Sequence, residues 1–193
     1  MITQKRDLRT GTPVWLANKP AFPKIDRSTV GIRADVIVVG TGISGALVAD
    51  ALLQAGYSVL ALDRRKPMSG STPASTALLQ FELDTPLTEL SRKIGKSDAA
   101  RAWWRSAEAV RALQDRIDTL HIRCGLAERS TIYLPGNILG TRQLKREAAA
   151  RQKLGLQSEF IGRQRLRDLT GLDKPGAILS QGNGEADPMR LVA

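Results

Sequence analysis

Residues 35–45 read Asp-Val-Ile-Val-Val-Gly-Thr-Gly-Ile-Ser-Gly, and this stretch decides the fold class. Val36 to Val39 is an uninterrupted run of β-branched side chains behind one acid. Such a run suits a strand covered on both faces, as in a parallel sheet. The glycine-rich turn Gly40 to Gly45 follows at once. Ala46 to Ala55 is rich in Ala and Leu, lacks Pro and Gly, and stops at Gly56. That predicts a short helix with a glycine C-cap. Tyr57 to Leu62 is a second apolar strand, closed by Asp63. Strand, glycine loop, helix and strand over residues 35–63 make a βαβ unit, and its crossover should be right-handed. The expected class is therefore α/β.

Each glycine of the G-x-G-x-x-G pattern has a physical task. Gly40 permits the tight turn out of the strand. Gly42 lacks a Cβ, so backbone can approach a pyrophosphate closely. Gly45 lets the helix lie against the strands. The N–H groups at the helix start, from Ile43 and Ser44 onward, face an anion with the helix dipole behind them. Asp63 lies eighteen residues after Gly45, where a carboxylate can accept ribose hydroxyls. A glycine turn without a ligand is the bland alternative, but strand, helix, second strand and terminal acid together favour a Rossmann-type dinucleotide unit. The motif does not separate NAD from FAD, because both are read through the same ADP half.

Outward from this unit, residues 64–80 are loop-like at first, and Ala77-Leu78-Leu79-Gln80 opens either a helix or a strand. Ser97 or Asp98 can cap a helix running to about Leu120, with Trp103, Val110, Leu113, Ile117 and Leu120 at helical spacings. Trp103 and Trp104 cannot share a face, so one belongs at an interface or margin. Thr131 to Leu134 reads as a strand before a Pro-Gly-Asn turn. Thr141 can cap a helix through Leu154, ended by Gly155. Glu159 to Ile161 and Ala177 to Ser180 read as strands, and Arg163 to Leu169 as a helical turn. Asp187-Pro188 is a helix start signal.

The stretch Asp63 to Gln80, DRRKPMSGSTPASTALLQ, combines a short loop with small and hydroxyl side chains. Following the glycine motif and Asp63, it resembles the FAD-dependent amino-acid and amine oxidoreductases of the D-amino-acid oxidase superfamily, which includes glycine oxidase and sarcosine oxidase. The resemblance implies FAD as cofactor. By position, it places Ser71, Thr72, Ser75 and Thr76 near the phosphates and ribityl chain, and Ala77, Leu78 and Leu79 close to the isoalloxazine ring. The family often has Gly where this chain has Ala77. Arg64, Arg65 and Lys66 either screen cofactor phosphates or form a solvated loop. The implied activity is oxidation of a C–N bond in an amino acid or amine, with oxygen or a respiratory carrier as acceptor. Such enzymes run about twice this length, so the catalytic residues are expected beyond residue 193. Asp187-Pro188 would open the helix that leads back to the cofactor domain, one that the chain does not finish.

The organisation expected is an extended basic arm at 1–33, the N-terminal half of an FAD-binding domain at 34–95, a partial α+β substrate domain at 96–186, and the start of a helix at 187–193. Two alternatives stand beside a working oxidoreductase. One is a truncated, non-catalytic chain that needs a complementary chain or associates with itself; the other is an NAD-binding dehydrogenase module.

Composition sets the remaining bounds. The chain has 193 residues, 42% of them hydrophobic, and a formal net charge of +10. Residues 1–33 carry seven basic and two acidic side chains, which is +5 of that excess. The arm contains Pro13, Pro20 and Pro23, shows no apolar period, and offers Trp15, Leu16 and Phe22 as pinning points. With no long run of like charge and no recognition motif, a solvated arm outweighs a nucleic-acid contact. One Cys and one His exclude a disulfide framework and a Cys/His zinc site. No apolar stretch is long enough for a membrane span and the first residues do not resemble a signal peptide, so a cytoplasmic location is expected. His121 and Cys124 read as structural or surface residues rather than catalysts.

Overall fold

The computed structural model describes residues 11–17, 20–21, 24–26 and 31–193. In chain order the elements are β1 (Val36–Val39), α1 (Ile43–Gln54), β2 (Val59–Leu62), β3 (Leu78–Leu79), α2 (Leu87–Ile94), α3 (Lys96–Thr119), β4 (Ala127–Tyr133), α4 (Thr141–Lys153), β5 (Ser158–Gly162), α5 (Arg163–Thr170), β6 (Gly176–Glu185) and α6 (Pro188–Val192). Two 3-10 turns lie at Val14–Leu16 and Thr72–Ala74. The chain divides into two units: one takes the described residues up to Ala77 together with 122–124 and 187–193, the other 78–121 and 125–186.

In the first unit β1 and β2 run parallel, with Val36 opposite Val59 and Val39 opposite Leu62. A carboxylate ties the two strands together at their start. Asp35 Oδ2 accepts from the Ser58 amide at 2.8 Å and the Ser58 hydroxyl at 2.5 Å. Those bonds from the Ser58 hydroxyl and amide hold the Asp35 carboxyl below its usual pKa. The double-sided burial expected of β1 is not met. Val38 is buried, but Ile37 is 58% exposed and Val39 84%. β1 has one strand neighbour, β2, and only its Val38 face is covered. The final helix starts as its Asp-Pro signal predicts. Asp187 Oδ1 accepts from the amides of Met189 and Arg190 at 2.9 and 3.2 Å, which satisfies two N–H groups that the helix leaves open. Cys124 is buried in the same unit, and Trp15 pins the arm by donating from Nε1 to the Ser75 carbonyl at 2.9 Å. The pinning role expected of Phe22 lies outside the described residues.

The second unit is built on an antiparallel sheet with β6 at its centre. β4 pairs along one edge, while β5 and then β3 pair along the other. The sheet strands extend past their expected bounds, because β6 continues through Gly182, a glycine at φ +82°, to reach β3. Helices α2, α3 and α4 pack around Phe81, Leu87, Ala99 and Trp103. Trp103 is fully buried and meets Phe81 edge-on, while Trp104 is half exposed, as the one-face argument required.

Two local expectations are corrected. Helix α3 starts at Lys96 after a Gly95 turn at φ +86°, so neither Ser97 nor Asp98 is its cap; Asp98 instead pairs with Arg101 at 3.0 Å. Thr141 does not cap α4, because Gly140 holds the cap position and Thr141 is already helical. Helix α2 has no capping side chain of its own. Its cap is Glu147 of α4. That carboxylate accepts from the Leu87 and Thr88 amides at 2.8 Å each and from the Thr88 hydroxyl at 2.7 Å. Buried Arg151 pairs with the same carboxylate at 2.8 Å and stacks on Trp103, its guanidinium carbon 4.4 Å from the ring centroid. Burial opposes the charged form of Glu147, but the Thr88 donors and Arg151 outweigh it and hold its pKa below the ordinary value. Among the described residues no helix is long and apolar enough to cross a membrane.

Candidate functional site: the glycine loop and the Asp63 clasp

The glycine loop is built as its spacing requires. Gly40 leaves β1 at φ +108°, a region closed to most L-residues, and its amide bonds the Leu62 carbonyl at 2.7 Å. Gly42 caps α1 in an extended conformation, and its carbonyl accepts the first helical bond from Ala46 at 3.0 Å. At Gly45 a Cβ would stand 1.8 Å from the Gly40 carbonyl oxygen. Only glycine lets the helix lie this close to the strand.

The acid at the end of β2 is held from two sides. Asp63 Oδ2 accepts from the Thr41 amide at 2.9 Å and the Thr41 hydroxyl at 3.0 Å, while Oδ1 accepts from the Arg65 amide at 2.9 Å. These bonds, led by the Thr41 amide, lower the Asp63 pKa to about 2, so the exposed carboxylate is charged at any physiological pH. Thr41 is the residue that sequence reasoning missed. It stands at an unspecified position of the motif, and its hydroxyl and amide both point at the acid.

Of the helix-start groups, the Ile43 amide donates to Thr72 Oγ1 at 3.1 Å, and Thr72 is itself buried. The hydroxyl loop thus folds onto the N-terminus of α1, where an anion would sit. Ser44 is exposed. Ser75 Oγ accepts from the Ala77 amide at 3.0 Å, and Ser71 and Thr76 are exposed. Ala77 is buried at φ +67°, a conformation that glycine adopts without strain. Leu78 and Leu79 form β3 and belong to the second unit. Arg65 lines the cleft at the glycine loop, and Arg64 is exposed but not part of its wall. That cleft, about 590 Å³, is bounded by Gly40, Thr41, Gly45, Ala46 and Asp63. His121 is exposed at φ +52° and lies outside this site.

The protein family described as DAO, FAD dependent oxidoreductase, matches residues 35–193. The chain belongs to this family. A curated relative is a Bacillus subtilis protein, YhfW, provisionally named a Rieske 2Fe-2S iron-sulfur protein; it is 25% identical over 142 residues, covering 74% of this chain and 27% of that protein. Among solved structures, an L-amino acid deaminase from Proteus vulgaris superposes with TM-score 0.67 at 17% identity, over 89% of this chain and 44% of its own. Glycine oxidase from Geobacillus kaustophilus superposes with TM-score 0.58 at 21% identity, over 83% and 42%. The chain thus spans less than half the length of each of these relatives.

FAD is the cofactor of this fold, and the residues present fit it. Gly45 makes the tight helix–strand contact, Gly42 lets the Thr72 hydroxyl come close to the helix start, and an ionised Asp63 stands at the strand end beside an open cleft. These features suit the ADP half through Gly40, Gly42, Ile43, Ser44, Gly45 and Asp63. They leave the NAD alternative without support once the family is known.

Proposed function

We propose that this chain is the N-terminal part of an FAD-dependent enzyme that oxidises the C–N bond of an amino acid or amine. The observation that carries the proposal is the order of parts. A Gly40–Asp63 nucleotide unit leads through a hydroxyl loop into a β6-centred antiparallel sheet, in a chain of the FAD-dependent oxidoreductase family that superposes on an L-amino acid deaminase and on glycine oxidases. Bound FAD supplies the acceptor for the hydride leaving the carbon next to nitrogen, and the imine product then hydrolyses in water. The chain's own work is to bind and orient. The start of α1 and Thr72 receive the phosphates, Asp63 holds the ribose hydroxyls, and Ser71, Ser75, Thr76 and Ala77 to Leu79 run along the ribityl and flavin portion. The groups that orient the substrate lie in a further segment.

A second reading is a non-catalytic fragment or one partner of a split protein. It is favoured by the open faces of β1 and α1, where Val39, Val48 and Leu53 are all more than half exposed. One experiment separates the two. The chain is mixed with FAD, desalted and examined for a retained flavin band, alone and with the polypeptide encoded immediately downstream. Amines and amino acids are then added without oxygen. Retention and bleaching by an amine support the oxidoreductase. Retention only with the downstream polypeptide supports the split reading. Absence of flavin in both preparations, or bleaching by a hydroxy substrate instead, defeats the C–N proposal.

A further inference from the structure

The nucleotide cleft has a wall that the family segment does not supply. The family match begins at residue 35, yet Lys24, Ile25, Asp26 and Ile32 line the same cleft as Gly40, Thr41 and Asp63. Ile25 and Ile32 are 51% and 43% exposed, an apolar pair on the wall of the cleft. The cleft's charged side chains are Lys24, Asp26, Asp63 and Arg65, two of each sign. A balanced rim with one ionised, clasped carboxylate suits a nucleoside, with hydroxyls to donate and an aromatic face to bury, better than a bare polyanion. The arm is also tied to the opposite end of the site. Trp15 donates to the carbonyl of Ser75, within the hydroxyl loop that folds onto the start of α1.

We propose that the arm ahead of the family domain is part of the cofactor site, with Ile25, Ile32 and Lys24 closing over the adenosine half of FAD. The inference rests on the FAD reading and extends it to residues outside the family pattern. Two aliphatic side chains then cover one face of the adenine, and the Lys24 ammonium can donate to the ring nitrogens or the nearer phosphate.

The test is the FAD affinity of the full chain, read by the change in flavin fluorescence on binding, with ADP as a competitor that carries the adenosine half alone. In the double variant Ile25→Ser with Ile32→Ser, FAD and ADP should both weaken by about tenfold, the loss of two apolar contacts. Lys24→Glu should weaken both by about threefold at low salt and less at high salt. All three side chains are exposed, so the melting temperature of the cofactor-free chain should not move. If wild type binds FAD and the double variant matches it within about twofold, the arm is no part of the site and the proposal falls, while the FAD reading stands. A loss for FAD without a loss for ADP also overturns it. If FAD binds neither to the wild-type chain alone nor in the presence of the downstream polypeptide, both readings fail together.

Discussion

Replacing Gly45 by alanine tests the geometry of the nucleotide unit most directly. The new Cβ would lie 1.8 Å from the Gly40 carbonyl oxygen and 2.9 Å from its carbon. Real Cβ atoms do not approach within 3.0 Å, so the start of α1 must retreat by at least 1.2 Å. The Gly40 carbonyl is itself restrained, because the Thr41 amide of the same peptide is held by Asp63 at 2.9 Å and the Gly40 amide before it by Leu62 at 2.7 Å. Overpacking of this kind costs about 1–3 kcal/mol, and the upper end applies because both clashing atoms are backbone. The sign is informative, since Gly→Ala inside an unstrained helix stabilises by about 1 kcal/mol. Retreat of α1 also pulls the Ile43 amide from Thr72, so FAD affinity should fall by at least about tenfold. Thermal denaturation and FAD titration of the full chain measure both effects. A Gly45→Ala chain that melts no lower than wild type and binds FAD equally would refute the close-packing argument.

Three further expectations follow from single contacts. Asp63→Asn should lower FAD affinity. Wild-type affinity should stay flat from neutral pH to about pH 4, because a carboxyl with its pKa lowered to about 2 stays ionised there; an acid limb within that window would contradict the Thr41 clasp. Glu147→Ala should destabilise the chain by about 3–5 kcal/mol, since it leaves buried Arg151 unpaired and α2 uncapped. The Glu147 pKa is lowered by folding, so its contribution is complete above the ordinary glutamate value of 4.5 and fades as pH falls below it; urea melts of wild type and variant should therefore converge in acid. Ala77→Gly should stabilise by up to about 1 kcal/mol by removing left-handed strain at φ +67°, and a lower melting temperature would show that the strain is absent.

What could be read from the sequence was whatever is carried by local chemistry. The β1–α1–β2 unit follows from a β-branched run, three glycines at fixed spacing and a terminal acid. The roles of Gly40 and Gly45 are borne out by φ and by the absent Cβ. Asp187 capping α6 is equally local, because cap and amides lie within three residues. Elements whose determinants lie far apart in the chain could not be read this way. Helix α2 has no local cap, as its amides are satisfied by Glu147 some sixty residues on. The length of β6 depends on pairing with β3, β4 and β5 together, and no single strand's pattern encodes three partners.

At the site the division is the same. Sequence alone determined that residues 35–63 form a βαβ unit with a glycine turn of the dinucleotide type, because glycine and acid positions impose backbone geometry directly; FAD rather than NAD came from the family resemblance of the following loop. The tertiary structure decided which atoms meet. Thr41 holds Asp63, Thr72 covers the start of α1, Arg65 rather than Arg64 faces the cleft, and the arm supplies Ile25 and Ile32 to its wall. Those contacts join residues that are separated along the chain and share no periodicity, so only the folded backbone could bring them together.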